Sequence, residues 1–359
     1  MSNLKIIAKK LEDLHTHMRF EKSKKYFNGI MDDQMKKNPY YEGSDEEYNS
    51  VVVPFWKQFG MKPDKKWFQY YGYLKQEFDP HFIPDDFFYT DLYRYFNDIR
   101  YDQFLQNKLY IPEFLYDVKK PVIVFKHMGK FFATEDDKLL TKEEAIEEFL
   151  KHDSLIIKPT EFNQGKGVKK LNISENREES LKILNEYIEN GDFVLQEIIK
   201  QSEQMNSFND TSINTIRIMT LILNNDIKIL SSVLRIGSKG SIVDNYYHGG
   251  KERPINKENG YLRDYYFQRD LLVRVDDNNE PLKEELLKGY DKAVEITRLH
   301  SRFPHIRLIG WDIAIDENYE PIVIELNAYV GDNQRDDGPT FTKYTAQVLE
   351  EYVNAKKKI

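Results

Sequence analysis

Residues 306–327 constrain this chain more than any other stretch. Ile306-Arg307-Leu308-Ile309-Gly310-Trp311-Asp312-Ile313-Ala314-Ile315-Asp316 and Pro321-Ile322-Val323-Ile324-Glu325-Leu326-Asn327 read as two apolar strands joined by a turn at Glu317-Asn318. Glu325 and Asn327 lie two apart, so strand alternation puts them on one face. A short turn brings Asp312 opposite them. Three such groups on otherwise apolar strands are costly without a ligand or a solvated edge. Two carboxylates and an amide oxygen suit Mg²⁺, which takes one or two carboxylates together with phosphates and water. The competing reading is the solvated polar face of an edge hairpin.

The rest of the chain sorts into helical and strand-rich halves. The spacing of Leu4, Ile7, Leu11 and Leu14 predicts a helix over residues 4–27, and Ser44-Asp45-Glu46-Glu47 reads as a helix start. Residues 51–110 are dense in aromatics such as Trp56, Trp67, Phe68 and Tyr71, as expected of a helical layer packed through rings. From Pro121 onward the texture turns β-rich. Residues 121–126 and 130–133 can pair, Thr141 caps a helix over 139–150, and 154–159 is a strand that Pro159 ends. Residues 179–188 read as helix and 193–197 as strand. Residues 215–223 and 228–236 form a hairpin over Asn224-Asn225-Asp226. A helix is predicted over 282–299 from Leu286, Tyr290 and Val294, and a last one over 340–354. Mixed elements in this order indicate an α+β protein with two sheet-containing lobes behind a helical N-terminal region.

Composition removes several function classes. There are 359 residues, enough for two or three domains. The absence of Cys excludes disulfides, thiolate zinc sites and thiol nucleophiles. A net charge of −8 disfavours a general nucleic-acid surface. No apolar run approaches ~18 residues, and Lys9, Lys10, Glu12 and Asp13 interrupt any secretory leader, so a cytoplasmic protein is the expectation.

Other constellations point to phosphate chemistry. Lys158, at the end of an apolar strand, is followed by Gln164-Gly165-Lys166-Gly167-Val168. Glycines let backbone N–H groups approach phosphate oxygens, and lysine adds a point charge. The spacing is not that of a P-loop, and a tight turn would use the same glycines. Gln196-Glu197-Ile198-Ile199 closes a strand, where backbone groups can meet a flat heterocycle and Glu197 can accept from an amine or ribose hydroxyl. Arg217, in Ser212-Ile213-Asn214-Thr215-Ile216-Arg217, and Arg235 lie in β-rich sequence and need anionic partners, either a ligand or a structural ion pair. Val243-Asp244-Asn245-Tyr246-Tyr247-His248-Gly249-Gly250-Lys251 is a polar loop. Lys108, in Gln106-Asn107-Lys108-Leu109, reads as a surface residue by itself.

Taken in order, these pieces resemble the ATP-grasp superfamily and, within it, the sugar-transfer-associated ATP-grasp group. The resemblance spans about residues 80 to 345. It runs through His81-Phe82-Ile83-Pro84-Asp85-Asp86, Asn107-Lys108, Ile157-Lys158-Pro159 with Gly165-x-Gly167-Val168, and Leu195-Gln196-Glu197. It continues through Ser212-x-Asn214-Thr215-x-Arg217, Asp244-Asn245 with Gly249-Gly250, Gly310-Trp311-Asp312 and Glu325-Leu326-Asn327. The family's usual acidic residue before the first lysine is Asn107 here.

The resemblance implies an ATP-grasp fold, two α+β lobes clamping ATP, preceded by the aromatic-rich helical region. The implied divisions are 1–105 for that region, 106–192 for the first lobe with its lysine and glycine loop, and 193–359 for the second lobe with hinge and metal site. Lys108 and Lys158 would contact ATP phosphates, with Gly165, Lys166, Gly167 and Val168 as the loop. Gln196, Glu197, Ile198 and Ile199 would hold adenine and ribose. Asp312, Glu325 and Asn327 would hold two Mg²⁺ ions. Arg217 would stand near the γ-phosphoryl group, with Lys158 and Arg235 completing the catalytic set. Asn214, Asp244, Asn245, His248, Gly249, Gly250 and Arg335 are the substrate candidates, and a salt bridge in a tail loop is the competing role for Arg335.

The implied activity is an ADP-forming ligase that activates a carboxylate as an acyl phosphate. The acceptor would be an amine or hydroxyl, sugar-linked in surface polysaccharide modification. The partners expected are small molecules, with no nucleic acid and no membrane span, and an oligomer is compatible with the sequence. Two rivals remain: a phosphotransferase acting on a hydroxyl, and a catalytically silent nucleotide-binding protein.

Overall fold

A computed structural model describes residues 3–98, 104–105, 107–109, 114–134, 138–160, 167–240, 249–269, 271–331 and 334–357; the side chains of 3–17, 19, 20 and 336 are not described. The chain divides into two compact units, Met1–Asp98 with Asp332–Ile359, and Ile99–Gly331.

The first unit is helical. Helix α1 (Asn3–Lys37) is longer than its apolar spacing predicts. Helix α2 (Asp45–Lys57) starts where expected, with Ser44 Oγ accepting from the Glu47 N–H, and α3 (Lys65–Tyr71) is capped by Asp64. The aromatic stretch makes the core, with Trp56, Trp67, Phe68, Phe88 and Phe341 fully buried. The last helix, Thr345–Lys356, belongs to this unit rather than to the second lobe in which the sequence divisions placed it. Its Tyr352 hydroxyl donates to Asp91, and the Tyr352 ring meets Phe87 edge-on. The rings of residues 87–96 need an apolar cover, and the amphipathic C-terminal helix provides it.

The described residues of the second unit hold two large antiparallel sheets and a two-stranded ribbon. The first contains β1 (Val122–His127), β2 (Lys130–Ala133), β3 (Lys138–Leu140), β4 (Ser154–Pro159), β5 (Lys169–Asn172) and β6 (Phe193–Glu197), in the order β3-β2-β1-β6-β4-β5. Val124, Leu155, Ile157, Phe193 and Leu195 pack with Phe149 and Leu184 of the helices Lys142–Phe149 and Arg177–Asn190. Strand alternation turns Lys158, Val194 and Gln196 to the other face.

The second sheet is built on β7 (Thr215–Leu223) and β8 (Asp226–Ile236), whose turn residues Asn224 and Asn225 both have positive φ, as a two-residue type I′ hairpin requires. It continues through β9 (Lys251–Pro254), with β10 (Tyr261–Leu262) outside it, β11 (Tyr266–Gln268) and β12 (Leu271–Val273). β13 (Glu285–Leu286) pairs with β10, while β14 (Leu308–Ile315) and β15 (Pro321–Asn327) complete the order β12-β11-β9-β8-β7-β14-β15. Ile216, Ile218, Leu234, Ile309, Trp311 and Ile313 form the core on one face.

The helix predicted over 282–299 is divided. Residues 285–286 pair as strand, and the helix begins at Tyr290, continuing as a 3₁₀ turn over Thr297–Arg302. Gly289 has φ +83, and a Cβ there would stand 3.1 Å from Ile315 Cγ2 and the Tyr319 carbonyl. Leu286 shared the helical spacing only by coincidence, and its side chain is exposed.

Candidate functional site

The predicted hairpin forms, with one refinement. Asp312 is directly opposite Glu325, and Gly310 opposite Asn327, but Ile313 pairs with Val323, so Ile324 is an extra residue in β15. Strict alternation would aim Val323 and Glu325 the same way. The bulge lets Val323 and Leu326 both reach the core while Glu325 and Asn327 face Asp312. Asn327 Nδ2 donates to Asp312 Oδ2 at 3.1 Å, so the three side chains do converge.

Cations surround them. Arg217 lies opposite Asp312 on β7 and grips it with two hydrogen bonds, Nε to Oδ1 at 2.5 Å and Nη2 to Oδ2 at 2.6 Å. Its Nη1 donates to the Val330 carbonyl at 3.1 Å, fixing the guanidinium plane. Arg235 on β8 reaches Asp312 at 3.6 Å and pairs with Glu252 at 3.2 Å. Burial pushes the Asp312 carboxyl up, but the charges of Arg217 and then Arg235 outweigh it, and the group is held below its ordinary range. Lys108 is buried, not the surface residue its local sequence suggests, and its Nζ lies 3.6 Å from Glu325 Oε1. Leu109, beside it, packs on Val122 and Val194 of the first sheet, so this segment joins that sheet to the carboxylate face of the second.

Gly310 is a participant the sequence pattern did not single out as chemical. A Cβ there would stand 3.3 Å from Arg217 Cδ and Nη1. The arginine side chain crosses the strand where a larger residue would stand. The signal was present in sequence as a glycine inside an apolar strand, which marks close approach of another group.

The other expected residues distribute as follows. Lys158 is half-buried opposite Val194 on β4, and Gln196 is buried on the same face of the first sheet. Glu197 and Ile198 are exposed where the chain leaves β6, and Ile199 is half-buried. Gly167 has φ +71 and packs closely on Pro159, with its carbonyl taking the Tyr187 hydroxyl; Val168 follows it. Asn214 is fully buried, and its Nδ2 donates to Gln201 Oε1 and to the Met205 and Asn209 carbonyls, so in this arrangement it ties a loop rather than facing solvent. Gly249 and Gly250 are buried just before β9, whose Lys251 pairs with Ile236, next to Arg235. Arg335 belongs to the helical unit. Gly165, Lys166, Asp244, Asn245 and His248 lie outside the described residues.

The donor set fits a hard divalent cation that is shared with phosphate oxygens. Asp312 and Glu325 supply carboxylates and Asn327 an amide oxygen whose nitrogen is already committed to Asp312. Among the described residues no cluster of three or more His, Cys, Asp or Glu side chains forms.

A family model described as sugar-transfer associated ATP-grasp matches residues 88–334, more than half of the chain. No curated protein matches it. Among solved structures, an L-amino acid ligase from Bacillus licheniformis is 16% identical over 69% of this chain and 48% of its own, with a TM-score of 0.37. This chain therefore spans about half the length of that enzyme. The D-alanine–D-alanine ligase from Bacillus anthracis complexed with ATP is 12% identical over 71% of this chain and 67% of its own, TM-score 0.39. The D-alanine–D-alanine ligase from Helicobacter pylori is 15% identical over 71% and 60%, TM-score 0.37.

Proposed function

Since the chain belongs to the sugar-transfer associated ATP-grasp family, we propose that it is an ATP-dependent, ADP-forming ligase that joins a carboxylate to an amine or hydroxyl. A carboxylate oxygen attacks the γ-phosphorus, the bond to the β-phosphate oxygen breaks, and ADP leaves. The acceptor then attacks the acyl carbon, expels phosphate and gives up its proton. The family description favours a sugar-linked acceptor, as in surface polysaccharide modification.

Placement supports the following roles. Lys158 on the first sheet and Lys108 against Glu325 are cations for the phosphate chain. Gln196, with the exit segment Glu197, Ile198 and Ile199, holds adenine and ribose, and Gly167 with Val168 belongs to the loop over the phosphates. Asp312, Glu325 and Asn327 would hold Mg²⁺, which when bound neutralises charge building on the transferring phosphoryl group. Arg217, held rigid by Asp312 and the Val330 carbonyl, presents fixed positive charge beside that position, so little reorganisation is needed as charge develops. Arg235 adds a second such charge.

The observation that carries this reading is the convergence of Asp312, Glu325 and Asn327 on one face, with Arg217 and Lys108 in contact. The test is ATP consumption with Mg²⁺ across a panel of carboxylic acids, with hydroxylamine as trap. ADP release with hydroxamate formed is the expected result. AMP release defeats the proposal, and a phosphorylated hydroxyl without hydroxamate makes the protein a phosphotransferase.

A further inference from the structure

Arg335 is buried in the helical unit, 6% exposed, and most of its hydrogen-bonding capacity is unspent. The guanidinium carbon lies 4.1 Å from the Tyr70 ring centroid and 5.2 Å from that of Tyr73. Nη2 donates to the Pro39 carbonyl at 3.0 Å. Nε and Nη1 are buried and have no partner. Two aromatic faces offset part of the cost of burying a cation, but they do not satisfy N–H groups.

The neighbourhood has the same one-sided deficit. Among the described residues of this unit, the buried side-chain atoms without partners are Trp67 Nε1, Arg335 Nε and Nη1, and Thr340 Oγ1. All of them can donate. They lie on α3 and on the segment 334–340, whose first turn packs against α3. That segment is rigidly seated, because Gln334 takes the Ile83 N–H on Oε1 at 2.7 Å and gives Nε2 to the Ile83 carbonyl at 2.7 Å. Among the described residues, this fixed, buried cation amid surplus donors has no acceptor of negative charge.

We propose that Arg335 anchors a binding site for a small organic carboxylate in the helical unit, with Tyr70 and Tyr73 as its walls. A carboxylate oxygen accepts from the free guanidinium N–H groups, and charge-assisted hydrogen bonds of this kind are the strong ones. Tyr73, half-buried in the turn after α3, is the more exposed of the two walls. The site is independent of nucleotide chemistry, so its binding is measured without ATP or metal, and failure of the ligase assay leaves it standing.

The experiment is thermal unfolding and calorimetric titration of the full chain with acetate, L-alanine and succinate, each against chloride at equal ionic strength, with inorganic phosphate alongside. The wild type is expected to be stabilised by at least one carboxylate. Arg335→Met should fold, hold its unliganded stability because unsatisfied donors are removed, and bind that carboxylate at least about tenfold more weakly. Thr340→Val, which removes a hydroxyl with no partner, gives a second variant expected to fold as well as the wild type. Arg335→Lys keeps the charge without the planar fork and should also lose affinity. The proposal is overturned if no carboxylate stabilises the wild type more than Arg335→Met, if phosphate binds and carboxylates do not, or if Arg335→Met lowers unliganded stability while Arg335→Lys restores it. The last result would make the residue a stacking element satisfied by buried water.

Discussion

Acidification should weaken the second sheet through one histidine. His300 is fully buried in the 3₁₀ turn over the core face. Its Nε2 is 2.8 Å from the Ile306 carbonyl, which can only accept, so that nitrogen carries the proton. Nδ1, 2.7 Å from Thr220 Oγ1, then accepts from the hydroxyl, while Trp311 Nε1 donates to the same oxygen at 2.9 Å. Protonating Nδ1 breaks no hydrogen bond outright, because the hydroxyl can turn to the Ile309 carbonyl at 3.3 Å. The cost is burial of charge, which pushes the imidazole down from 6.5 to about 4. A base with a depressed value binds its proton more readily unfolded, so stability is complete above 6.5 and drains as pH falls toward 4. Linkage puts the full loss at roughly 3 kcal/mol and the loss by about pH 5 at roughly 2 kcal/mol. Urea unfolding of wild type and His300→Gln across this range isolates the term, since the other acid-sensitive groups cancel in the difference. The stability gap between the two proteins should close by that amount, with Trp311 emission as a local reporter. A gap independent of pH refutes the reasoning.

Three further outcomes follow from the site and its surroundings. Gly310→Ala places a methyl 3.3 Å from Arg217 Cδ and Nη1; overpacking should cost about 1–3 kcal/mol, and ATP turnover should fall more than tenfold, checked by unfolding and ADP release in parallel. Arg217→Met leaves Asp312 buried without its main partner, a loss of about 3–5 kcal/mol, and Arg217→Met/Asp312→Asn should recover part of it; equal stability of the single and double variants would show that the pair is not coupled. Thr141→Ala removes the capping box with Glu144 and should cost about 1 kcal/mol in unfolding experiments with turnover unchanged.

Much of the strand-rich half was legible because alternation is a local signal. The hairpins 215–236 and 308–327 form close to where apolar alternation and the Asn224-Asn225 turn place them, and Asp312, Glu325 and Asn327 meet as their spacing implies. The bulge at Ile324 was not legible, since it arises from the need to bury Val323 and Leu326 together. Lys108 looked like a surface residue because its partner, Glu325, is far along the chain. The break at Gly289 hid behind an accidental helical spacing, and the packing of the C-terminal helix on the aromatic unit is a non-local fact that no window of sequence carries. Arg335 was visible as a cation in a polar turn, but its burial between Tyr70 and Tyr73 was not.

The charge arrangement also bears on how a metal would enter in the proposed function. Arg217, Arg235 and Lys108 carry three positive charges, and Asp312, Glu325 and Glu252 carry three negative ones; Arg217 and Arg235 pair with Asp312 and Glu252, and Lys108 pairs with Glu325. These six groups are balanced as they stand, and both Asp312 oxygens are already engaged. A bare divalent cation would add charge to a neutral cluster and compete with a bidentate arginine for Asp312. In the proposed function the same ion would arrive with a triphosphate, inside a net anion, and the phosphate oxygens would meet Arg217, Arg235 and Lys108 without Arg217 leaving Asp312. Pairing with these cations lets the carboxylates be buried without ligand, and a cation set shared by carboxylates and phosphates would tie metal affinity to nucleotide affinity. Replacing Lys108 or Arg217 should therefore weaken nucleotide binding more in the absence of Mg²⁺ than in its presence, because the variant loses a phosphate partner in both cases and leaves the cluster net negative, a charge that only the metal offsets.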